Sequence, residues 1–188
     1  GQGRVCSSWL NQWFTVWLQL NVEDWIMGRD RGADGRNGPS LVSMWWDMSS
    51  TYGTRFDDVM SIRLGVDGQV DGAKLAQVPH RGQWVGVDTL KMLLAMEHNA
   101  VARRLLEHYP ERFVKTGQKC RGQCDERLFG VARLIVSASV ARIQTLHWTT
   151  LLLPTFTGVA SQNVLWNGLV KTLHAMPGID AKAVFGMF

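Results

Sequence analysis

The sequence predicts a mainly α-helical protein. Apolar residues step at helical spacing through separate stretches, and these stretches stop at Gly or Pro. With 188 residues, 46% of them hydrophobic, the chain is long enough to bury a real core. Only 19% are charged, which excludes a disordered chain.

The first helix is expected from about Ser8 to Met27. Trp9, Trp13 and Trp17 step by four, flanked by Leu10, Phe14 and Leu18. It stops before Gly28, and a Gly-, Asp-, Asn- and Arg-rich loop follows to Pro39. Ser43 to Gly53 reads as an aromatic-rich loop. Around 62–78, Asp67-Gly68 and Asp71-Gly72 punctuate short apolar pieces, which predicts a small β-hairpin excursion. The helical period returns at Val87 with Leu90, Leu93, Leu94, Val101 and Leu105, and stops near Tyr109-Pro110. Lys115 to Cys124 is polar. A long helix is expected from about Glu126 to Leu153, carrying Leu134, Ile135, Ser139 and Arg142 around its turns, until Pro154 breaks it. A last helix is expected over Gln162 to Ala175. Neither an internal repeat nor a low-complexity tract is present.

Composition excludes further classes. Twenty Lys and Arg against 16 Asp and Glu leave a scattered net charge of +4, too weak for a nucleic-acid footprint. Nine tryptophans against two tyrosines point to buried aromatic packing or a flat-walled site. Three cysteines cannot close a disulfide framework, which favours an intracellular setting. No apolar run reaches the roughly 18 residues of a membrane-spanning helix. The chain opens on Gly1 with no secretory pattern, so its true N-terminus is expected to lie outside it.

Four segments, taken in order, resemble a known family: QLNVEDWI (Gln19–Ile26), MWWDMSSTYG (Met44–Gly53), MEHNAV (Met96–Val101) with its following Tyr109-Pro110, and ARLIVSASVARIQTLHWT (Ala132–Thr149). Together they resemble the animal-type haem peroxidase superfamily and, within it, the fatty-acid α-dioxygenases. The WWD-x-S-x-x-YG string is the narrowest mark, because other branches keep the Asp without the paired Trp. The resemblance runs from about Trp9 to Leu153 and fades after Pro154. It implies that residues 1–188 are a single partial domain, the distal-side portion of a haem peroxidase-like catalytic domain whose C-terminal remainder is absent.

The resemblance implies a calcium site. Calcium takes six to eight hard oxygen ligands in flexible geometry, and Ser43, Trp45, Asp47 and Ser49 alternate along one loop. By the resemblance, Asp24 and Asp47 would supply carboxylates, Trp45 its backbone carbonyl, Ser49 a hydroxyl, and Ser43 hydroxyl and carbonyl oxygens. The family usually has Thr at Ser43, and Ser keeps the ligand atom. Without the resemblance, Asp47 and the serines read as ordinary turn formers.

On the haem side the resemblance meets two departures. The residue before the calcium Asp is the family's distal histidine, a general acid–base; here it is Glu23. Gln19, one turn earlier on the same face, is retained. A carboxylate can shuttle a proton if burial raises its pKa, but it lacks the donor–acceptor pair of neutral imidazole. The family's I-H-T-x-x-W-T pattern holds the fatty-acid carboxylate with its His and last Thr. Here Ile143 to Thr149 keeps Thr149 but has Gln144 at the His position, an uncharged donor expected to bind carboxylate more weakly. His147 points differently and does not replace it. Plain helix packing is the alternative for this stretch.

Three family features are missing from the sequence: the proximal iron-ligating histidine, the radical-forming tyrosine and the arginine of the carboxylate clamp. They are expected C-terminal to Phe188. Tyr52 and Tyr109 belong to other motifs, and His174 reads as a structural histidine rather than an axial ligand. Cys120 and Cys124, with His108 nearby, read as free thiols in a solvated loop rather than a zinc pair. His98 of the Glu97-His98-Asn99 string reads as a buried, hydrogen-bonded histidine. Arg103, Arg104 and His108 form a solvated basic face, and the Asp-Gly pairs are too close for an EF-hand.

The resemblance therefore implies part of an oxidoreductase with haem b and calcium as cofactors and a fatty acid with O2 or peroxide as substrates. In the family a peroxide-driven haem step generates a tyrosyl radical that removes hydrogen from Cα of the fatty acid, where oxygen adds. The chain alone is expected to be inactive. Nucleic acid is not an expected partner; membranes or lipid bodies could attract it only peripherally, through the substrate. The rival is a non-catalytic helical module that keeps the scaffold and the calcium site, because Glu23 and Gln144 both stand where the family has functional histidines.

Overall fold

The computed structural model describes residues 8–19, 45–77, 84–114, 119–168 and 171. The expectations for Glu23, Asp24, Ser43, His174 and the loop from Gly28 to Pro39 lie outside these residues. The chain divides into two compact units: Ser7–Ser137, and a second whose described part begins at Ala138.

In the first unit, helix α1 (Trp9–Gln19) starts where Ser8 caps it, the Ser8 Oγ accepting from Asn11 N–H at 3.2 Å. Its tryptophan stripe turns inward only toward its C-terminal end, since Trp9 is 72% exposed. Trp17 is buried and its indole N–H donates to Thr51 Oγ1 at 3.1 Å. Trp13 meets Trp84 edge-to-face at 6.0 Å. That contact needs Gly86: a Cβ there would lie 2.8 Å from the Trp13 ring. Helix α1 packs against α5 (Val85–His108), the helix predicted from Val87 to Tyr109.

Between them lie three short helices, α2 (Ser49–Tyr52), α3 (Phe56–Ile62) and α4 (Gly72–Gln77). The hairpin expected around 62–78 is corrected to a single antiparallel bridge, Arg63 to Val70, and no strand occurs among the described residues. The physical reason is that side chains take the place of a strand partner. Asn99 accepts from Val70 N–H and donates to Val70 C=O, both at 2.9 Å. Asp71 then starts a helix by accepting from Ala73 N–H at 3.0 Å. The turn itself uses Asp67 and Gly68 in the left-handed region, φ 55° and 62°. At Gly68 a Cβ would lie 2.8 Å from Leu128 Cγ and 2.9 Å from the Phe129 backbone nitrogen. Glycine thus lets helix α7 (Gln123–Arg142) approach this turn.

A one-turn helix α6 (Pro110–Phe113) follows α5, with Pro110 in its first turn. Cys120 and Cys124 are disulfide-bonded, which corrects the free-thiol reading. Their Cα atoms stand 5.3 Å apart, within bridging range. Cys120 is held by Asp67: its N–H donates to Asp67 Oδ1 at 2.9 Å and its C=O accepts from Asp67 N–H at 2.8 Å. The opening turn of α7 then brings Cys124 back to it. The cysteine argument for an intracellular setting loses its premise.

Lys91 is fully buried on α5. Burial lowers its pKa from 10.5 to about 8, partly opposed by the charge of Asp88 one turn earlier. The unfolded chain keeps this proton up to pH 10.5 while the folded chain releases it near 8. Stability should therefore rise with pH across that window, by about 3 kcal/mol at most. Urea unfolding at pH 7.5 and 10 checks this: the rise should vanish in Lys91→Met, and parallel pH profiles would contradict it.

In the second unit, the chain of α7 continues into a π-helical segment (Ile143–Trp148) and α8 (Thr149–Leu152). Pro154 breaks the run, as predicted. The last described helix, α9 (Phe156–Asn167), starts earlier than the expected Gln162, because Thr155 Oγ1 caps it by accepting from Gly158 N–H at 3.0 Å. The continuous helix Gln123–Leu152 is long and apolar enough to cross a membrane by length and composition alone, although the sequence has no uninterrupted apolar run. Its first half is a packed core helix: Leu128, Phe129, Ala132 and Val136 are buried. Large apolar side chains also stand exposed, among them Phe56, Leu134, Phe156 and Leu165.

Candidate functional site

The loop that carries the expected calcium ligands is built on α7. Arg133 and Ser137 lie one turn apart on that helix and both reach the loop. Arg133 donates from Nε and Nη2 to the Asp47 carbonyl at 2.9 and 2.6 Å. Ser137 Oγ donates to the Trp46 carbonyl at 2.6 Å, and the Trp46 indole returns a bond to the Ser137 carbonyl at 3.1 Å. Trp46 and Met48, on either side of Asp47, are both left-handed, φ 57° and 61°. Non-glycine residues adopt this conformation only where surrounding bonds impose it.

Asp47 and Ser49 are joined side chain to backbone. Asp47 Oδ1 accepts from Ser49 N–H at 3.0 Å, so the carboxylate also caps the first turn of α2. The turn-former reading and the ligand reading of Asp47 are thus compatible: a carboxylate has about four acceptor sites. The Ser49 side chain is buried, whereas the Trp45 side chain is 88% exposed, leaving its backbone as the contribution expected of it.

Behind the loop runs a buried polar chain. The Tyr52 hydroxyl and His98 Nδ1 are 2.9 Å apart, and His98 Nε2 lies 2.9 Å from the Gly68 carbonyl. A carbonyl can only accept, so Nε2 carries the proton and Nδ1 accepts from Tyr52. Burial lowers the His98 pKa, with the hydrogen bond to the Gly68 carbonyl opposing and Arg133 reinforcing the shift. Burial raises the Tyr52 pKa, and the Arg133 guanidinium, 5.1 Å from the ring, partly offsets this. Gly68 N–H donates to Asp125 Oδ1 at 2.7 Å, and Asp125 Oδ2 pairs with Arg63 at 2.6 Å. His98 is the buried, hydrogen-bonded histidine that the sequence suggests. The roles of Arg133, Ser137 and Asp125 were missed: the sequence carries no signal linking a helix residue to a turn or loop 57 to 91 positions earlier.

Gln19 ends α1 with its side chain exposed. In the second unit, Gln144 and Thr149 are brought together on the π-helical stretch. Thr149 Oγ1 donates to the Gln144 carbonyl at 2.7 Å, and Gln144 Oε1 accepts from Thr145 Oγ1 at 3.3 Å. The Thr149 hydroxyl and the Gln144 side-chain oxygen are thus engaged locally, in a helix type that often marks functional positions.

Two fits can be tested. For calcium, Trp45, Asp47 and Ser49 offer hard oxygens on one braced loop, the donor type that the ion takes. For haem iron, His98 has both ring nitrogens engaged and cannot ligate. His108 Nδ1 is bonded to the Arg104 carbonyl on an exposed helix end. The third described histidine, His147, is exposed on the π-helical stretch. Among the described residues no three His, Cys, Asp or Glu side chains converge, and Cys120 and Cys124 are bonded to each other.

Comparison with known proteins agrees with this scaffold. The structure of fatty acid α-dioxygenase from Oryza sativa matches at TM-score 0.59 with 30% identity, over 74% of this chain and 23% of that one. A structure of the rice enzyme with palmitic acid matches at TM-score 0.55 and 31% identity, over 66% and 20%. The chain thus has the helical peroxidase-like fold of the α-dioxygenases. Alpha-dioxygenase PIOX of Oryza sativa subsp. japonica is 33% identical over 142 residues, 70% of this chain and 21% of the relative. The animal haem peroxidase family model matches residues 76–183. The chain belongs to the animal haem peroxidase family, which implies haem. It spans about a fifth of the length of the relatives it matches.

Proposed function

We propose that the chain is the distal-side part of a fatty-acid α-dioxygenase-type oxidoreductase. The observation that carries this reading is the braced WWD-x-S-x-x-YG loop within a fold shared, at 30% identity, with rice fatty acid α-dioxygenase. Haem, when bound, would supply the oxidising power. Gln19 and Glu23 would face it, with Glu23 holding or releasing a proton in place of the family's imidazole. Thr149 and Gln144 would hold the substrate carboxylate by neutral hydrogen bonds. Asp24, Ser43, Trp45, Asp47 and Ser49 would hold calcium. Oxygen uptake on adding palmitic acid to the haem-loaded gene product tests the activity; a flat trace would count against it.

One observation favours the rival, a non-catalytic module that keeps the calcium site: the Thr149 hydroxyl is engaged by the Gln144 carbonyl rather than held open. Both readings share the ion. Calcium should raise the melting temperature, since a ligand that binds only the native state stabilises it. At 100 times its Kd the gain is about 2.7 kcal/mol. A melting point unmoved by calcium or chelator would remove the ion from either reading.

A further inference from the structure

We propose that Arg133 is the positioning residue of the calcium loop; this rests on the calcium reading above. Its guanidinium takes the Asp47 carbonyl with two donors at 2.9 and 2.6 Å and lies 5.1 Å from the Tyr52 ring. That carbonyl is not among the expected ligands. The bond instead fixes the peptide between Asp47 and Met48, and with it the direction of the Asp47 carboxylate toward Ser49 N–H. The left-handed φ of Trp46 and Met48 shows that the loop is held away from its relaxed shape on both sides of Asp47. Ser137 secures the Trp46 side, and Arg133 secures the Asp47–Met48 side.

The sign of the effect separates positioning from charge. A guanidinium beside a cation site repels the cation, so a purely electrostatic Arg133 would weaken binding, and its removal would tighten it. A clamp does the reverse. Losing a group that orients a ligand typically costs 10- to 100-fold in metal affinity. Lysine keeps the charge but offers a single point of contact instead of the planar fork.

The test is terbium binding, read as luminescence sensitised by Trp45 and Trp46 and competed by calcium, on the wild-type chain, Arg133→Met and Arg133→Lys. Amide hydrogen exchange of residues 48–53 is measured in chelator alongside. The clamp predicts about tenfold or greater loss of affinity in Arg133→Met, an intermediate loss in Arg133→Lys, and faster exchange of those amides at unchanged helix content. Affinity equal to or tighter than wild type in Arg133→Met, with unchanged exchange, would overturn the clamp and leave the calcium reading standing. A wild-type chain with no calcium-displaceable terbium signal would sink the calcium reading and the proposal with it. If Arg133→Met loses its helix content, the Arg133→Lys comparison decides by the same criteria.

Discussion

Asp125→Ala should destabilise the Ser7–Ser137 unit by about 3–5 kcal/mol, the usual cost of removing one partner of a buried ion pair. Asp125 is 3% exposed and its partner Arg63 12%. Removal strands the Arg63 guanidinium, which also lies 4.9 Å from the Phe129 ring, and leaves the Gly68 N–H without its acceptor. That N–H is part of the turn whose carbonyl receives His98. The loss should therefore spread along the chain of bonds to Tyr52 and loosen the floor beneath the 45–53 loop. Urea unfolding reads the effect directly. A loss below about 1 kcal/mol, the scale of an exposed pair, would show that the pair is solvated in solution.

Glu23→His is expected to have the largest effect on chemistry. Under the proposed function, the change restores a group that can accept and return a proton near neutral pH, a contribution worth about 100- to 10,000-fold. Peroxide consumption by the haem-loaded gene product should rise accordingly, whereas Glu23→Gln should abolish what proton transfer the carboxylate provides. Equal rates for wild type, Glu23→His and Glu23→Gln would mean that position 23 plays no part in proton transfer.

Much of the fold was legible because helices announce themselves locally. The Trp9, Trp13 and Trp17 stripe and the apolar stripe from Leu90 to Leu105 both predict helices that are present. The hairpin misled for the converse reason. Asp-Gly pairs report the turn, but Asn99, 29 residues away, decides whether a ladder follows. The disulfide was hidden because Asp67, not local sequence, holds Cys120 in place for Cys124. At the loop, the turn-forming role of Asp47 was legible from residue type, and its carboxylate takes the Ser49 N–H. Arg133 and Ser137 were not, since on a helix they look like any polar residues one turn apart. The π-helical turn through Gln144 gave no sequence sign either.

The most direct test of the account is the position at which oxygen enters the substrate. Palmitic acid and labelled 18O2 are given to the haem-loaded gene product, and the products are resolved by mass spectrometry. An α-dioxygenase-type function predicts label on carbon 2, as the hydroperoxy acid or its reduced hydroxy acid. Label on an interior carbon, or unlabelled palmitic acid recovered from protein with haem bound, would contradict it.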